Sequence, residues 1–447
     1  MRKRRKPIIV IPLLIVLTLI VGGGAVYHFN GEVEIYSRLS SETHAFYQVH
    51  SESPFINSAM NAAPYVPYAP YPDAQEALYT FDTPEGFTMV SYSQAWDSEM
   101  LQELYFELLR NEHGEEINFL HEVIVFPHEE EGGSALATYS RSTTVMEFFI
   151  EFPAFPPNFT IGFPQESGTI NLYNGDKNTT VRSMASSLSH EYGHLFTFYH
   201  IFYAEHDDYS ESDAAIRNTE YARLRDISRY NLLTSISRED LYLSERHRYI
   251  VEIAAEDYVQ LMGSPTTRNV IDFVDVRQIL NGAEQPLVTT SARNAFPQEN
   301  MRIPLANDVP GLKEYFYSFV DAVPDVPVEE KKDITLQIER QTVEHNLSTG
   351  HRVFVYFTIT WNTPYQEAIY TLICYDPYDY AGWGIPIKTV RPGQTASAII
   401  GEYVVERGNQ VHFPQESNAT GTKVFCVVAL LPDGTFYLSD KLEYVFG

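Results

Sequence analysis

His190, Glu191, Tyr192, Gly193 and His194 form an HExxH pattern inside a stretch of helical character. On a helix, residues four apart lie on one face, one turn from each other. The imidazoles of His190 and His194 then reach a single Zn²⁺. Glu191 projects to the side, where it can take a proton from water held at the metal. Five residues thus supply two ligands and a base, the equipment for metal-assisted hydrolysis of a peptide bond. The same pattern arises by accident on surface helices, so its surroundings decide.

A catalytic zinc site needs three protein ligands and one open position. Two residues compete for third place. His200 completes an HExxHxxxxxH spacing, the spacing of metzincins, in which a glycine breaks the helix and lets the third histidine swing back. Thr197 stands there instead, within Leu195-Phe196-Thr197-Phe198-Tyr199, and nothing in that run breaks a helix. On a continuing helix His200 lies about 240° around from His194 and misses the metal. Met262 matches that family's methionine turn only as well as an ordinary core methionine does. Glu252 fits better. It lies in Glu252-Ile253-Ala254-Ala255-Glu256-Asp257-Tyr258, which reads as a helix with Glu252 and Glu256 on one face. The small Ala254 and Ala255 let this helix approach the histidine helix closely. Glu252 then binds the ion, and Glu256 orients a ligand histidine by accepting its other N–H. The apolar neighbours Ile250, Val251, Ile253, Val259, Leu261 and Met262 argue that these carboxylates are buried and need a partner.

HEYGH followed by EIAAEDYVQLMGS resembles the gluzincin metallopeptidases, and most of all the branch that contains the catalytic domain of anthrax lethal factor, with its HExGH helix and ExxAE helix. The resemblance covers these two helices and, more loosely, the strand before the first. It implies an α+β zincin-like domain. It implies His190, His194 and Glu252 as zinc ligands, Glu191 as the base and Glu256 as the carboxylate behind a ligand. The family also uses a Tyr or His to stabilise the oxyanion, and Tyr242, His247 and Tyr249 are the candidates. The segment between the two helices is longer here than in that relative.

Composition bounds the partners. The chain has 447 residues and a formal net charge of -28. A chain this long is expected to hold two or three domains. An acid excess of this size argues against nucleic acid, because phosphates would meet no neutralising surface. It suits an exported protein kept soluble by self-repulsion. Residues 1–27 carry Arg2-Lys3-Arg4-Arg5-Lys6 and then an apolar run. Cations before such a run mark the cytoplasmic side, and its length is close to the ~20 residues that cross a bilayer. A signal-anchor is the favoured reading. A signal peptide cleaved near Gly23-Gly24-Ala25 is the other. Either exports the remainder. Cys374 and Cys426 both lie in strand-like runs, and one disulfide or two buried thiols are equally open.

Residues 28–74 read as a spacer, with proline and tyrosine alternating from Pro64 to Pro72. A stalk is the plainer interpretation; a pro-segment over the active site is the sharper one. The metallopeptidase domain is expected over 75–325. Strands are expected near 87–92 and 119–126, with a helix over 95–110 whose apolar positions are Leu101, Leu104, Tyr105 and Leu108. A proline-rich loop around Pro153, Pro156 and Pro157 leads to a strand at 168–173. Asn178, Thr179 and Thr180 offer a cap for the histidine helix, expected to run to about Tyr199. The strand at 168–173 is expected at a sheet edge, where an extended peptide could add to it. Loops over the cleft are expected at 205–245, helices at 245–262 and 274–280, and a linker at 324–332. From 333 to 447, runs rich in β-branched and aromatic residues, divided by turns, predict an all-β immunoglobulin- or fibronectin-like sandwich. His121-Glu122 has Val125 where a second histidine would be needed. Residues 129–131 read as a solvated acidic turn, and Asp376 and Asp379 match no Ca²⁺ loop.

The sequence thus predicts a membrane-anchored extracellular zinc peptidase acting on protein or peptide substrates. The rival is a surface binding or adhesion protein that keeps the fold and lacks catalysis. Metal content and a peptide digest separate the two.

Overall fold

The computed structural model describes residues 35–40, 46–52, 76–128, 135–150, 159–202, 216–234, 248–268, 277–280, 283–286, 298, 300–324, 329–347, 350–378, 384–401, 405–407, 410–412 and 420–446. In chain order the first elements are β1 (Ile35–Ser40), β2 (Phe46–Glu52), β3 (Tyr79–Asp82), β4 (Thr88–Ser91), α1 (Ser98–Leu108), β5 (Leu120–Val125), β6 (Ala135–Ile150) and β7 (Phe159–Leu172). Then come α2 (Val181–Thr197), α3 (Glu220–Leu224), α4 (Ile250–Met262), α5 (Pro265–Arg268), β8 (Arg277–Leu280), β9 (Ala283–Pro286) and α6 (Leu312–Tyr317). The C-terminal part is all strand: β10 (Leu336–Leu347), β11 (Gly350–Trp361), β12 (Ile369–Tyr375), β13 (Ile385–Val390), β14 (Ser397–Gly401), β15 (Val405–Arg407), β16 (Gln410–His412), β17 (Gly421–Leu430), β18 (Phe436–Leu438) and β19 (Leu442–Phe446).

Two compact units divide the chain, a small one of Met1–Thr43 with Thr143–Gln165 and a large one of His44–Ser142 with Glu166–Gly447. In the small unit β1 runs antiparallel to β6 from Val145 to Ile150. In the large unit the sheet order is β6-β7-β5-β4-β3, with β2 antiparallel to β6 from Ala135 to Arg141. The pairs β4–β5 and β5–β7 are parallel.

Strand alternation sends Met89, Val123, Val125, Ile170, Leu172, Ala137 and Tyr139 to one face of this sheet, where they join one core with the helices. From α1 that core takes Leu101, Leu104, Tyr105 and Leu108, the positions spaced three and four apart in the sequence. Asp97 starts α1 by accepting from the N–H groups of Glu99 and Met100 at 3.1 and 3.0 Å. From α2 and α4 come Met184, Leu188, Tyr192, Ile250, Ile253 and Tyr258.

A second core lies between the sheet β10-β11-β14 and the sheet β13-β12-β17-β18 with β19 beside β17. Phe357, Ile359 and Trp361 from one sheet meet Leu372, Cys374, Phe425, Val427 and Ala429 from the other. The outer face of the five-stranded sheet is buried too. Ile373, Tyr375, Val424, Cys426, Val428 and Leu430 pack there with Met301 and Leu305, which precede the linker. Lys441 reinforces the joint by donating to the Met301 carbonyl at 2.6 Å.

Several expectations change. The strand containing residues 168–173 is not an edge, because β7 lies between β5 and β6. The run Ala135–Ile150, with Ser and Thr interrupting its apolar residues, forms the strand beyond it, a strand that the sequence does not predict. Within the expected helix at 274–280, Arg277–Leu280 is instead the strand β8, paired antiparallel with β9, with Leu280 opposite Ala283. Within the expected spacer, Ile35–Ser40 and Phe46–Glu52 are strands. The expected anchor at 1–27, the Pro64–Tyr71 repeat and Glu205–Asp208 fall outside the described residues. Among the described residues no helix is long and apolar enough to cross a membrane.

Cys374 and Cys426 are both free and buried. Ile373, not Cys374, stands opposite Cys426, so the two thiols occupy opposite faces of the sheet. Burial pushes both up to about 12, which keeps them protonated and inert. Accordingly, both cysteines should be alkylated in chain unfolded without reductant; resistance to the reagent by mass spectrometry would contradict this geometry.

Candidate metal centre

Helix α2 starts from a reciprocal cap. Thr180 Oγ1 accepts from the Ser183 N–H at 3.2 Å, and Ser183 Oγ accepts from the Thr180 N–H at 3.3 Å. The helix places His190 and His194 one turn apart, with ring centroids 5.0 Å apart and planes at 88°. Helix α4 begins at Tyr249, whose backbone is still extended. The strand-like segment before it is pinned by Leu233, which donates to the Arg248 carbonyl at 2.8 Å and accepts from the Ile250 N–H at 2.9 Å. Glu252 then falls in the first turn, where the helix dipole favours a carboxylate.

Gly193 and Ala255 set how near the two helices come. A Cβ on Gly193 would lie 2.9 Å from the Ala255 carbonyl oxygen and 3.1 Å from its Cα. The contact is therefore backbone against backbone. At that separation Glu252 Oε2 lies 3.3 Å from His190 Nε2 and 3.8 Å from His194 Nε2. One donor atom from each of the three residues lies within 4.8 Å of the others. Tetrahedral zinc with bonds of about 2.0–2.2 Å puts its donors about 3.3–3.6 Å apart; the two distances from Glu252 come near that range, and small side-chain rotations would bring the set around one ion. Its chemistry fits as well, since two imidazoles and one carboxylate suit Zn²⁺. His194 and Glu252 are buried, and His190 is the more exposed of the three, which opens the cluster on its side.

Glu191 is fully buried, and Glu256 is buried one turn after Glu252. Tyr249 belongs to the hydrophobic core. Tyr242 and His247 lie outside the described residues. His200 is not brought to the cluster. Helix α2 runs on into a π-helical turn, Phe198–Phe202, which sends His200 Nε2 to Glu116 Oε2 at 2.6 Å. Met262 is a core residue at the end of α4.

Three groups that support the site were not read from the sequence. The first is Glu116, in a 3-10 turn, Glu115–Phe119. It accepts from Tyr192 Oη at 2.7 Å and from the Gly114 N–H at 3.0 Å, besides its contact with His200. The second is the buried trio Arg225, Asp257 and Tyr221. Arg225 Nε donates to Asp257 Oδ2 at 2.6 Å, a second guanidinium nitrogen pairs with Oδ1, and Tyr221 Oη donates to Oδ2 at 2.6 Å. Arg225 also donates to the Pro304 carbonyl at 2.8 Å, so the trio ties α4 to α3 and to the segment before α6. The third is Asn111, which donates to Ser189 Oγ at 2.8 Å and accepts from the Ser264 N–H at 2.7 Å. It holds α2 next to His190 against the end of α4. Tyr139 of β6 stacks against His194, with ring centroids 6.3 Å apart at 22°. Most of these contacts join residues far apart in sequence, as Glu116 with Tyr192 and His200, Asp257 with Arg225 and Tyr221, and Asn111 with Ser189, and only the charges of Glu116, Arg225 and Asp257 at otherwise apolar positions hint at them.

No family model, no curated protein and no solved structure matches this chain.

Two outcomes follow from this geometry. Gly193→Ala should drive α2 and α4 apart, lowering stability by about 1–3 kcal/mol and weakening metal binding; unchanged melting temperature and metal titration would refute the close crossing. Burial alone would raise the Glu116 pKa, but His200, the Gly114 N–H and Tyr192 together hold it below the ordinary 4.5. That pairing contributes stability that is complete above 4.5 and is lost as pH falls through the lowered value. Glu116→Gln should therefore flatten the acid limb of the stability curve; parallel limbs in the two proteins would assign the acid sensitivity elsewhere.

Proposed function

We propose that this chain is a zinc-dependent peptidase whose centre is His190, His194 and Glu252. One observation carries the reading: three donors of the right chemistry, from two separate helices, converge within 4.8 Å of one another, a group that could hold one ion. The gluzincin-like pairing of HEYGH with EIAAE supports it, and the partly exposed His190 marks the side from which a substrate would approach. A zincin-like α+β domain followed by a β-sandwich is the fold that goes with this reading. Export and a membrane anchor through residues 1–27 belong to it as well.

A divalent ion held by these side chains supplies Lewis acidity to a peptide carbonyl and acidity to water. The two imidazoles must be neutral to serve as ligands, and the Glu252 carboxylate offsets part of the ion's charge. Glu191, one residue after the first ligand, takes the proton from water and delivers it to the leaving amine. Its complete burial keeps it out of bulk solvent. Glu256, on the Glu252 face of α4, orients a ligand imidazole. Tyr139 packs on the His194 ring and limits its rotation. Tyr242 and His247 are the candidates for oxyanion stabilisation; Tyr249, held in the core, is withdrawn from that role.

The test uses two variants of the full chain with metal analysis and a peptide-library digest. Glu191→Gln should keep one equivalent of zinc and lose about 10²–10⁴-fold in turnover. Glu252→Ala should lose both zinc and turnover. Stoichiometric zinc in the wild type without cleavage of any peptide would favour the binding-protein alternative.

A further inference from the structure

The strand β6 does two things at once. On one side its Tyr139 stacks on the ligand residue His194. On the other its backbone from Ala135 to Arg141 is paired with β2, Phe46–Glu52, in antiparallel register. Val49 stands opposite Tyr139, His50 opposite Thr138 and Ser51 opposite Ala137. The β6 residue that stacks on His194 is therefore one whose outer neighbour, Val49, comes from the segment Phe46–Glu52. Among the described residues no strand pairs with β2 on its far side.

A strand edge carries a row of unpaired N–H and C=O groups that any extended chain can complete. Antiparallel addition gives the better-aligned ladder. Such pairing reads backbone rather than side chains, so a segment of the same chain and a foreign peptide compete for it on equal chemical terms. The tethered segment has the advantage of an effective concentration on the order of millimolar.

We infer that Phe46–Glu52 is a resident occupant of the peptide-docking edge beside the metal centre, and that an extended peptide must displace it to reach His190, His194 and Glu252. The inference rests on the peptidase reading for its consequence, but the occupancy is a binding claim with its own readout. It makes the N-terminal segment an intrachain competitor that sets how much of the protein is open to substrate.

The experiment uses the full chain carrying Val49→Pro and His50→Pro together. Successive residues of a strand direct their N–H groups to opposite sides, so one of the two substitutions removes a donor from the β6 ladder whatever the phase. The probe is a fluorescent synthetic peptide of sequence Phe46–Glu52, followed by anisotropy, alongside a peptide-library digest. The double variant should bind the probe at least about tenfold more tightly than the wild type and hydrolyse peptides faster by a similar factor. Equal probe binding by the two proteins, with matched zinc content and thermal melts, overturns the inference. Tighter probe binding by the variant with no hydrolysis by either protein upholds the occupancy and sinks the peptidase reading instead. A second variant covers a failure of the first to fold. His50→Cys with Thr138→Cys places two thiols at opposed positions of β2 and β6. Its oxidised form should refuse the probe and its phosphine-reduced form accept it; equal binding by both forms overturns the inference.

Discussion

The crossing of α2 and α4 at Gly193 and Ala255 governs how the site is built. A carboxylate is a short ligand, and Glu252 reaches the two imidazoles only because nothing wider than a hydrogen atom separates the helices at that point. Close backbone contact also expels water, which is why His194 and Glu252 are buried. Burying a carboxylate among apolar groups is costly unless a counter-charge or donors meet it. The buried trio of Arg225, Asp257 and Tyr221 anchors α4 from behind, and Asn111 with Ser189 anchors α2. The trio thus holds α4 from the side away from the contact, while Asn111, bonded to Ser189 one turn before Gly193 and to the Ser264 N–H just after α4, ties the two helices to each other.

How well the sequence could be read followed the range of the interactions involved. Helices α1 and α2 owe their positions to apolar residues repeating every three or four places and to local caps, and α4, which has no side-chain N-cap, to its apolar repeat alone; these signals sit within a few residues of each other. The pairing of Glu252 with the HExxH histidines was legible for a similar reason, since each helix carries a recognisable face. The fate of His200 was half legible. The lack of a helix breaker at Thr197 predicted that it would miss the ion, but its partner Glu116 lies far away in sequence and could be found only in three dimensions. Strand β6 escaped because Ser, Thr and Tyr dilute its apolar alternation, and β2 because nothing local says which edge it would join. The helical reading of residues 274–280 failed because Arg277–Leu280 is a strand whose partner, Ala283–Pro286, carries no apolar run to announce it.

The two cysteines show how alternation settles a question that spacing leaves open. Their strands pair, so proximity alone would have allowed a bond. The register places Ile373 across from Cys426 and turns Cys374 to the inter-sheet core. The outer thiol instead joins a layer of Val424, Val428 and Leu430 that packs with Met301 and Leu305.

That layer bears on how the protein tolerates being shortened. A chain ended at the linker would leave Met301 and Leu305 facing water and the Met301 carbonyl without its lysine. The same stretch supplies the Pro304 carbonyl to Arg225, so the damage would travel along a covalent path of three residues to the ion pair behind α4. The C-terminal sandwich is therefore a buttress, and a working fragment has to retain it or replace the apolar cover it provides.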